Sequence, residues 1–173
     1  MLWTSDWATL FMTLRNREAP VRLASLGRDS MRSADDPRPE AGAADPLGAA
    51  SPLCDAAAVV AFWRAAGPLL WFAKDDEFDR RFRDRFLHLY EAASRGSLRD
   101  WAASPTGSLG LLILLDQYPR NAFRGSPRMY ATDTMARDIA TAALEAGHDR
   151  AVEPDLQLFF YLPFGHSEDL ADQ

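Results

Sequence analysis

The chain has 173 residues, enough for one domain with a core; 47% are hydrophobic and 11% aromatic, ordinary values for a globular protein. A formal net charge of −6 excludes broad nucleic-acid binding, which draws on counterion release at a basic face, and leaves open only a local arginine pocket. The single cysteine, Cys54, excludes an internal disulfide and a CxxC zinc site and fits a reducing cytoplasm, while the longest apolar run, Leu111 to Leu115, falls far short of the roughly 18–20 residues of a membrane span.

At the start of the chain, Trp3, Trp7, Leu10, Phe11 and Leu14 fall on one helical face, and five arginines follow between Arg15 and Arg32. That pattern resembles a weak targeting or membrane-surface helix. Asp6 lies where a secretory signal should be positive and no small-residue cleavage pattern follows, so an unstructured extension fits better. Ser33 to Asp55 is almost wholly Ala, Pro, Asp, Gly and Ser, too poor in apolar area to offset chain ordering. Residues 1–55 are therefore read as an extension and linker, and 56–173 as the helical domain.

"AAAVVAFWRAAG" predicts a helix over 56–67, with Val59, Val60, Phe62 and Trp63 inward and a break at Gly67 and Pro68. The next helix ends at Gly96. Phe78, Phe82, Phe86 and Leu89 recur on its inner face, Asp75, Asp76 and Glu77 suit the positive end of its dipole, and Arg80, Arg81, Arg83 and Arg85 alternate with Asp79 and Asp84 on a solvated exterior. Ser97 is expected to cap a short helix bearing Leu98 and Trp101, and "SPTGS" to break the chain before an apolar helix over about 108–118. Thr132 or Asp133 should cap the following helix, with Met135, Ile139, Ala142, Ala143 and Ala146 inward and Gly147 as its stop. Pro154 opens a helix carrying Leu156, Phe159 and Phe160, closed by Pro163, and Ser167 caps a last one with Glu168 and Asp169 in its first turn. Nowhere does period-two alternation appear. The fold class is all-α, built of antiparallel helical hairpins whose concave side is a usual place for a site.

The segment "LLILLDQYPRNAFRGSPRMYATD" sets a greasy run against a polar turn. Pro119 should end the buried helix near Tyr118 and deliver Asp116, Gln117, Arg120 and Asn121 to the rim of the core. Arg120 and Arg124 offer planar donor forks suited to carboxylate or phosphate. Either they pair with Asp116 and Asp133 and with helix carbonyls, locking a loop, or they line an anion pocket. Near the end of the chain, His166, Glu168 and Asp169 gather an imidazole and two carboxylates that could perform acid–base chemistry, help bind a metal, or simply serve the helix dipole. The His-x-Glu spacing lacks the PCxxC of zinc deaminases, and there is no HExxH, GxSxG, GxGxxG or phosphate-loop lysine. His88 and His148 read as structural. These motifs identify neither a metal nor a cofactor.

"FWRAAGPLLWFAKDDEFDRRFRDRF", "LLDQYPRNAFRGSPRMYATD" and "YLPFGHSEDLADQ" together closely resemble the bacterial domain of unknown function 924 family over about residues 57–173. The resemblance implies a tetratricopeptide-repeat-like helical bundle and a shared polar site of Asp116, Gln117, Arg120, Asn121, Arg124, Asp133, His166, Glu168, Asp169 and Gln173. It also implies further helices beyond Gln173, including a second arginine–asparagine turn, so the domain is expected to be incomplete at its C-terminus, with bare apolar surface that invites self-association. The leading expectation is a binding module that holds a small anionic ligand or an acidic peptide segment in an arginine-lined cleft. The alternatives are an enzyme in which His166 and Glu168 form an acid–base pair while Arg120 and Arg124 hold substrate, and a purely structural helical scaffold.

Overall fold

A computed structural model describes the backbone of residues 52–167 and the side chains from Asp55 onward. The amphipathic N-terminal face, most of the linker, and Glu168, Asp169 and Gln173 lie outside the described residues. Every regular element among the described residues is helical. α1 spans Pro52–Trp71 and begins within the stretch read as linker, with Pro52 at the position where a missing N–H costs nothing. Gly67, with φ at 71° and ψ at 173°, interrupts it, so the helix changes direction at the predicted Gly-Pro step. α2, Asp76–Ser94, starts at Asp75, whose side chain accepts from the Phe78 N–H at 2.8 Å, and buries Phe78, Phe82, Phe86 and Leu89 as its spacing requires.

Ser97 makes no cap; a 3₁₀ segment, Arg99–Ala103, carries buried Trp101 inward instead. The apolar helix then starts earlier than expected. α3, Pro105–Leu112, has Ser104 as its cap and Pro105 in its first turn. It can sit against the 3₁₀ segment only because Gly107 lacks a side chain, since a Cβ there would collide with the Trp101 carbonyl. Without a break the chain passes through one wider, π-helical turn, Ile113–Gln117, into α4, Tyr118–Ala122. Leu109 and the whole span Leu111 to Tyr118 are buried, as a helix apolar on nearly every side demands.

α5, Asp133–Glu145, buries Ala136, Ala140 and Ala143; Met135 and Ile139 are half-buried and Ala142 and Ala146 exposed, so its inner face is rotated from the predicted one. α6, Pro154–Gln157, runs into a 3₁₀ turn, Leu158–Phe160, that buries Phe159 and Phe160. Pro163 does not close this run: it lies in the first turn of α7, Leu162–Gly165, where proline is tolerated. α3 is the hub, packed by α1 and α5, while α2 lies on α4. Stacked and edge-to-face rings of Phe62, Trp63, Phe78, Phe82 and Phe159 fill the α1–α2 side of the core.

Candidate functional site

Pro119 does not end the central helix. It lacks the N–H that would bond the carbonyl four residues back, and the chain answers in two ways. The π turn widens the helix, with the Tyr118 N–H reaching the Ile113 carbonyl. The Leu115 carbonyl is then taken by the Thr132 hydroxyl at 2.6 Å, so Thr132, though it precedes α5, spends its side chain on α3–α4 and not on a cap. Helix α5 is thereby fixed against the proline, and Asp133 is carried to Arg120.

Around this junction a buried polar cluster closes. Asp116, 1% exposed, accepts from Gln117 Nε2 at 2.6 Å and lies 2.7 Å from His166 Nδ1 through Oδ1. Arg120 donates from Nη1 to the Asp116 carbonyl at 2.8 Å and lies 3.2 Å from its carboxylate. The same guanidinium makes a forked pair with Asp133 at 3.0 and 3.1 Å, the bidentate geometry that makes arginine–carboxylate pairs directional. The imidazole of His166 is nearly sealed from solvent, with its side chain 3% exposed, and faces Asp116 rather than bulk water. α7 brings it there from fifty residues away in sequence.

Asn121 and Arg124 go elsewhere. Asn121 Nδ2 donates to Asp79 Oδ1 at 2.7 Å, and Arg124 donates from Nε to Asp79 Oδ2 at 2.6 Å and from Nη2 to the Ala73 carbonyl at 3.3 Å. Asp116 and Asp133 thus serve Arg120, while Arg124 depends on a carboxylate forty-five residues earlier. One helical turn separates two clusters, and Tyr118 stands between them. Its hydroxyl donates to the Arg83 carbonyl at 3.0 Å, and burial, the largest influence, holds its ionisation well above the usual tyrosine range.

The second cluster borders an open cleft of about 430 Å³ between the start of α2 and the end of α4. Its walls carry Lys74, Arg80, Arg83 and Arg124, with Asn121 and the carboxylates Asp76 and Asp79. Sequence reading placed Asp79, Arg80 and Arg83 on a solvated exterior and missed the cleft. A signal was present for Asp79: it lies three residues before Phe82 and seven before Phe86, the spacing of the buried face. Lys74 carried no signal of its own. Of the two histidines read as structural, His88 is exposed and His148 Nδ1 meets the hydroxyl of buried Ser108 at 2.9 Å. Among the described residues no three His, Cys, Asp or Glu side chains are grouped to hold a metal, and no helix is long and apolar enough to cross a membrane.

The fold and this junction define an all-α protein in which one proline-bearing helix end organises two polar clusters. The model of the bacterial protein of unknown function 924 family (DUF924) matches residues 59–173, and the chain belongs to that family. The chain is also similar to the solved structure of a protein of unknown function from Agrobacterium tumefaciens, at 53% identity and a TM-score of 0.67 over 68% of this chain. It spans 66% of that protein's length. No curated protein matches it.

Proposed function

We propose that the chain is a tetratricopeptide-like helical binding module that takes a small anionic ligand in the cleft between α2 and α4. The observation that carries this reading is the set of four cationic side chains, Lys74, Arg80, Arg83 and Arg124, around one cleft of about 430 Å³, a volume suited to a small molecule. Arg120 acts at one remove: by clamping Asp116 and Asp133 it fixes the helix end from which Asn121 and Arg124 reach the cleft. Thermal-shift titration with phosphate, sulfate, succinate and citrate should raise the melting temperature of the intact chain, because a ligand that binds only the folded state stabilises it by mass action. The shift should disappear in a Lys74→Ala/Arg80→Ala double variant. No shift with any anion, or an undiminished shift in that variant, rejects the cleft.

A second reading is an enzyme in which His166 moves protons with Glu168 as its partner. It is favoured by the 2.7 Å contact between Asp116 Oδ1 and His166 Nδ1, since a carboxylate on one ring nitrogen fixes the tautomer and orientation of the imidazole. Turnover in a screen of esters, amides and phosphoesters that vanishes in a folded His166→Asn variant would support it. Turnover that survives that substitution would remove it.

A further inference from the structure

Donors reach the cleft from three separate elements. Lys74 stands in the loop before α2, Arg80 and Arg83 lie three residues apart on α2 and so are neighbours on its surface, and Arg124 arrives from beyond α4. Lys74 and Arg80 have no ion-pair partner among the described residues, and Arg83 has only Asp84, in a surface pair whose side chains are 44% and 62% exposed. Arg124 is anchored by Asp79 through Nε and Nη2, which leaves Nη1 uncommitted. Of the four cations around the cleft, Arg124 is paired with Asp79 and Arg83 with Asp84, which leaves Lys74 and Arg80 as the two without an ion-pair partner among the described residues. Like charges drawn around a small cleft repel, and a bound anion of charge two relieves that repulsion.

Building on the reading of this cleft as an anion site, we propose that its ligand is a small phosphomonoester bound as the dianion, with the phosphate group among Lys74, Arg80, Arg83 and Arg124. A tetrahedral phosphate presents three terminal oxygens to donors converging from three directions; a planar carboxylate presents two oxygens in one plane and a single charge. Asp76 and Asp79 set an upper limit on charge, since a polyphosphate tail would outnumber the two unpaired cations, Lys74 and Arg80, and meet both carboxylates. The volume of about 430 Å³ suits a small molecule, and the formal net charge of −6 works against a nucleic-acid backbone as the source of the phosphate.

Isothermal titration of the full chain with phenyl phosphate, sulfate, benzoate and phthalate at low salt, between pH 5 and 8, tests this. Phenyl phosphate should bind, and its affinity should rise by about tenfold per pH unit up to the second phosphate pKa near 6 and then level off. The charged groups that face the ligand are Lys74, Asp76, Asp79, Arg80, Arg83 and Arg124; no histidine lines the cleft. Sulfate, a tetrahedral dianion throughout this range, should bind without that slope. Lys74→Ala and Arg80→Ala should each weaken phenyl phosphate by tenfold or more without lowering the melting temperature. Benzoate binding as tightly as phenyl phosphate, or no pH slope for phenyl phosphate, overturns the dianion. Phthalate or benzoate binding that depends on Arg80 while both tetrahedral anions fail overturns the phosphate and leaves an anion cleft standing. If no anion binds, both readings fall.

Discussion

Two arginines four residues apart on the same helix end are used in opposite ways. Arg120, with its side chain 12% exposed, is shared by two carboxylates, one of them 2% and the other 15% exposed, and a buried imidazole completes the group. Arg124, 36% exposed, meets one carboxylate and keeps a terminal nitrogen for the cleft. The first arrangement holds charges that the interior tolerates only while paired, so it resists change. The second sits where water screens its charges and where a ligand could enter. A helix end can therefore carry an anchor on its buried side and a charged, solvent-facing surface on its open side, one turn apart, provided something fixes the rotation between them. Here that is the π turn before Pro119 together with the Thr132 hydroxyl on the Leu115 carbonyl.

The largest expected effect comes from breaking the anchor. Asp116→Ala removes the shared acceptor of Gln117, Arg120 and His166 and leaves a guanidinium short of compensation in the interior; the expected loss is about 3–5 kcal/mol by denaturant melting. A loss below about 1 kcal/mol would show that the buried cluster does not hold the helix end, and the contrast between the two arginines would collapse. Thr132→Val is next, because it strands a buried carbonyl that Pro119 cannot serve. About 1–3 kcal/mol is expected, and the same substitution should loosen Asp133 against Arg120 in hydrogen exchange.

Much of the scaffold was legible from the chain itself. The phenylalanine spacing of α2, the carboxylates at its start, the Gly-Pro kink of α1 and the buried central helix each depend on residues close in sequence, so periodicity and helix-end chemistry sufficed. Pro119 was misread because the rule that proline breaks a helix assumes its orphaned carbonyl finds no donor. The donor, Thr132, lies seventeen residues beyond that carbonyl, and nothing local announces it. Asp116, Arg120 and Asp133 could be grouped from the sequence because they flank one turn. The Asp79–Arg124 pair spans forty-five residues, and Asp79 was masked by a run of alternating charges that looks like any solvated helix face. His166 was singled out for its chemistry, and its contact with Asp116 is one that only the return of α7 to the central helix could reveal.

Between the two regions stands Tyr118. Tyr118→Phe keeps the ring among Phe82, Tyr90 and Phe123 and deletes only the bond to the Arg83 carbonyl, for an expected cost of about 1 kcal/mol. Its phenol also gives an alkaline signature. Because burial raises its folded ionisation above the unfolded value near 10, its contribution is fully present below about pH 10 and is lost as pH rises through the folded value. The wild-type melting temperature should fall faster above pH 10 than that of the phenylalanine variant. Parallel curves would mean that the phenol is more open to water than its burial implies. Arg124→Ala should cost about 1 kcal/mol at low salt and less at 0.5 M, since its pair with Asp79 is partly exposed and screened. An effect as large as that of Asp116→Ala and insensitive to salt would make Arg124 a second anchor.

The smallest effect on stability is expected on the open side, and it sharpens the comparison most. Arg80 is exposed and holds no ion pair among the described residues, so Arg80→Ala should change stability by less than about 0.5 kcal/mol. It should even stabilise the chain slightly at low salt, because it removes one of four like charges around the cleft, and that gain should fade as screening shortens the reach of the remaining three. A surface arginine with no neighbouring cations has no such repulsion to lose, so the salt dependence separates a charged cleft from an ordinary solvated face. If Arg80→Ala destabilises the chain equally at low and high salt, the side chain is packing its methylenes against α2, and the cationic wall is a surface rather than a receptor.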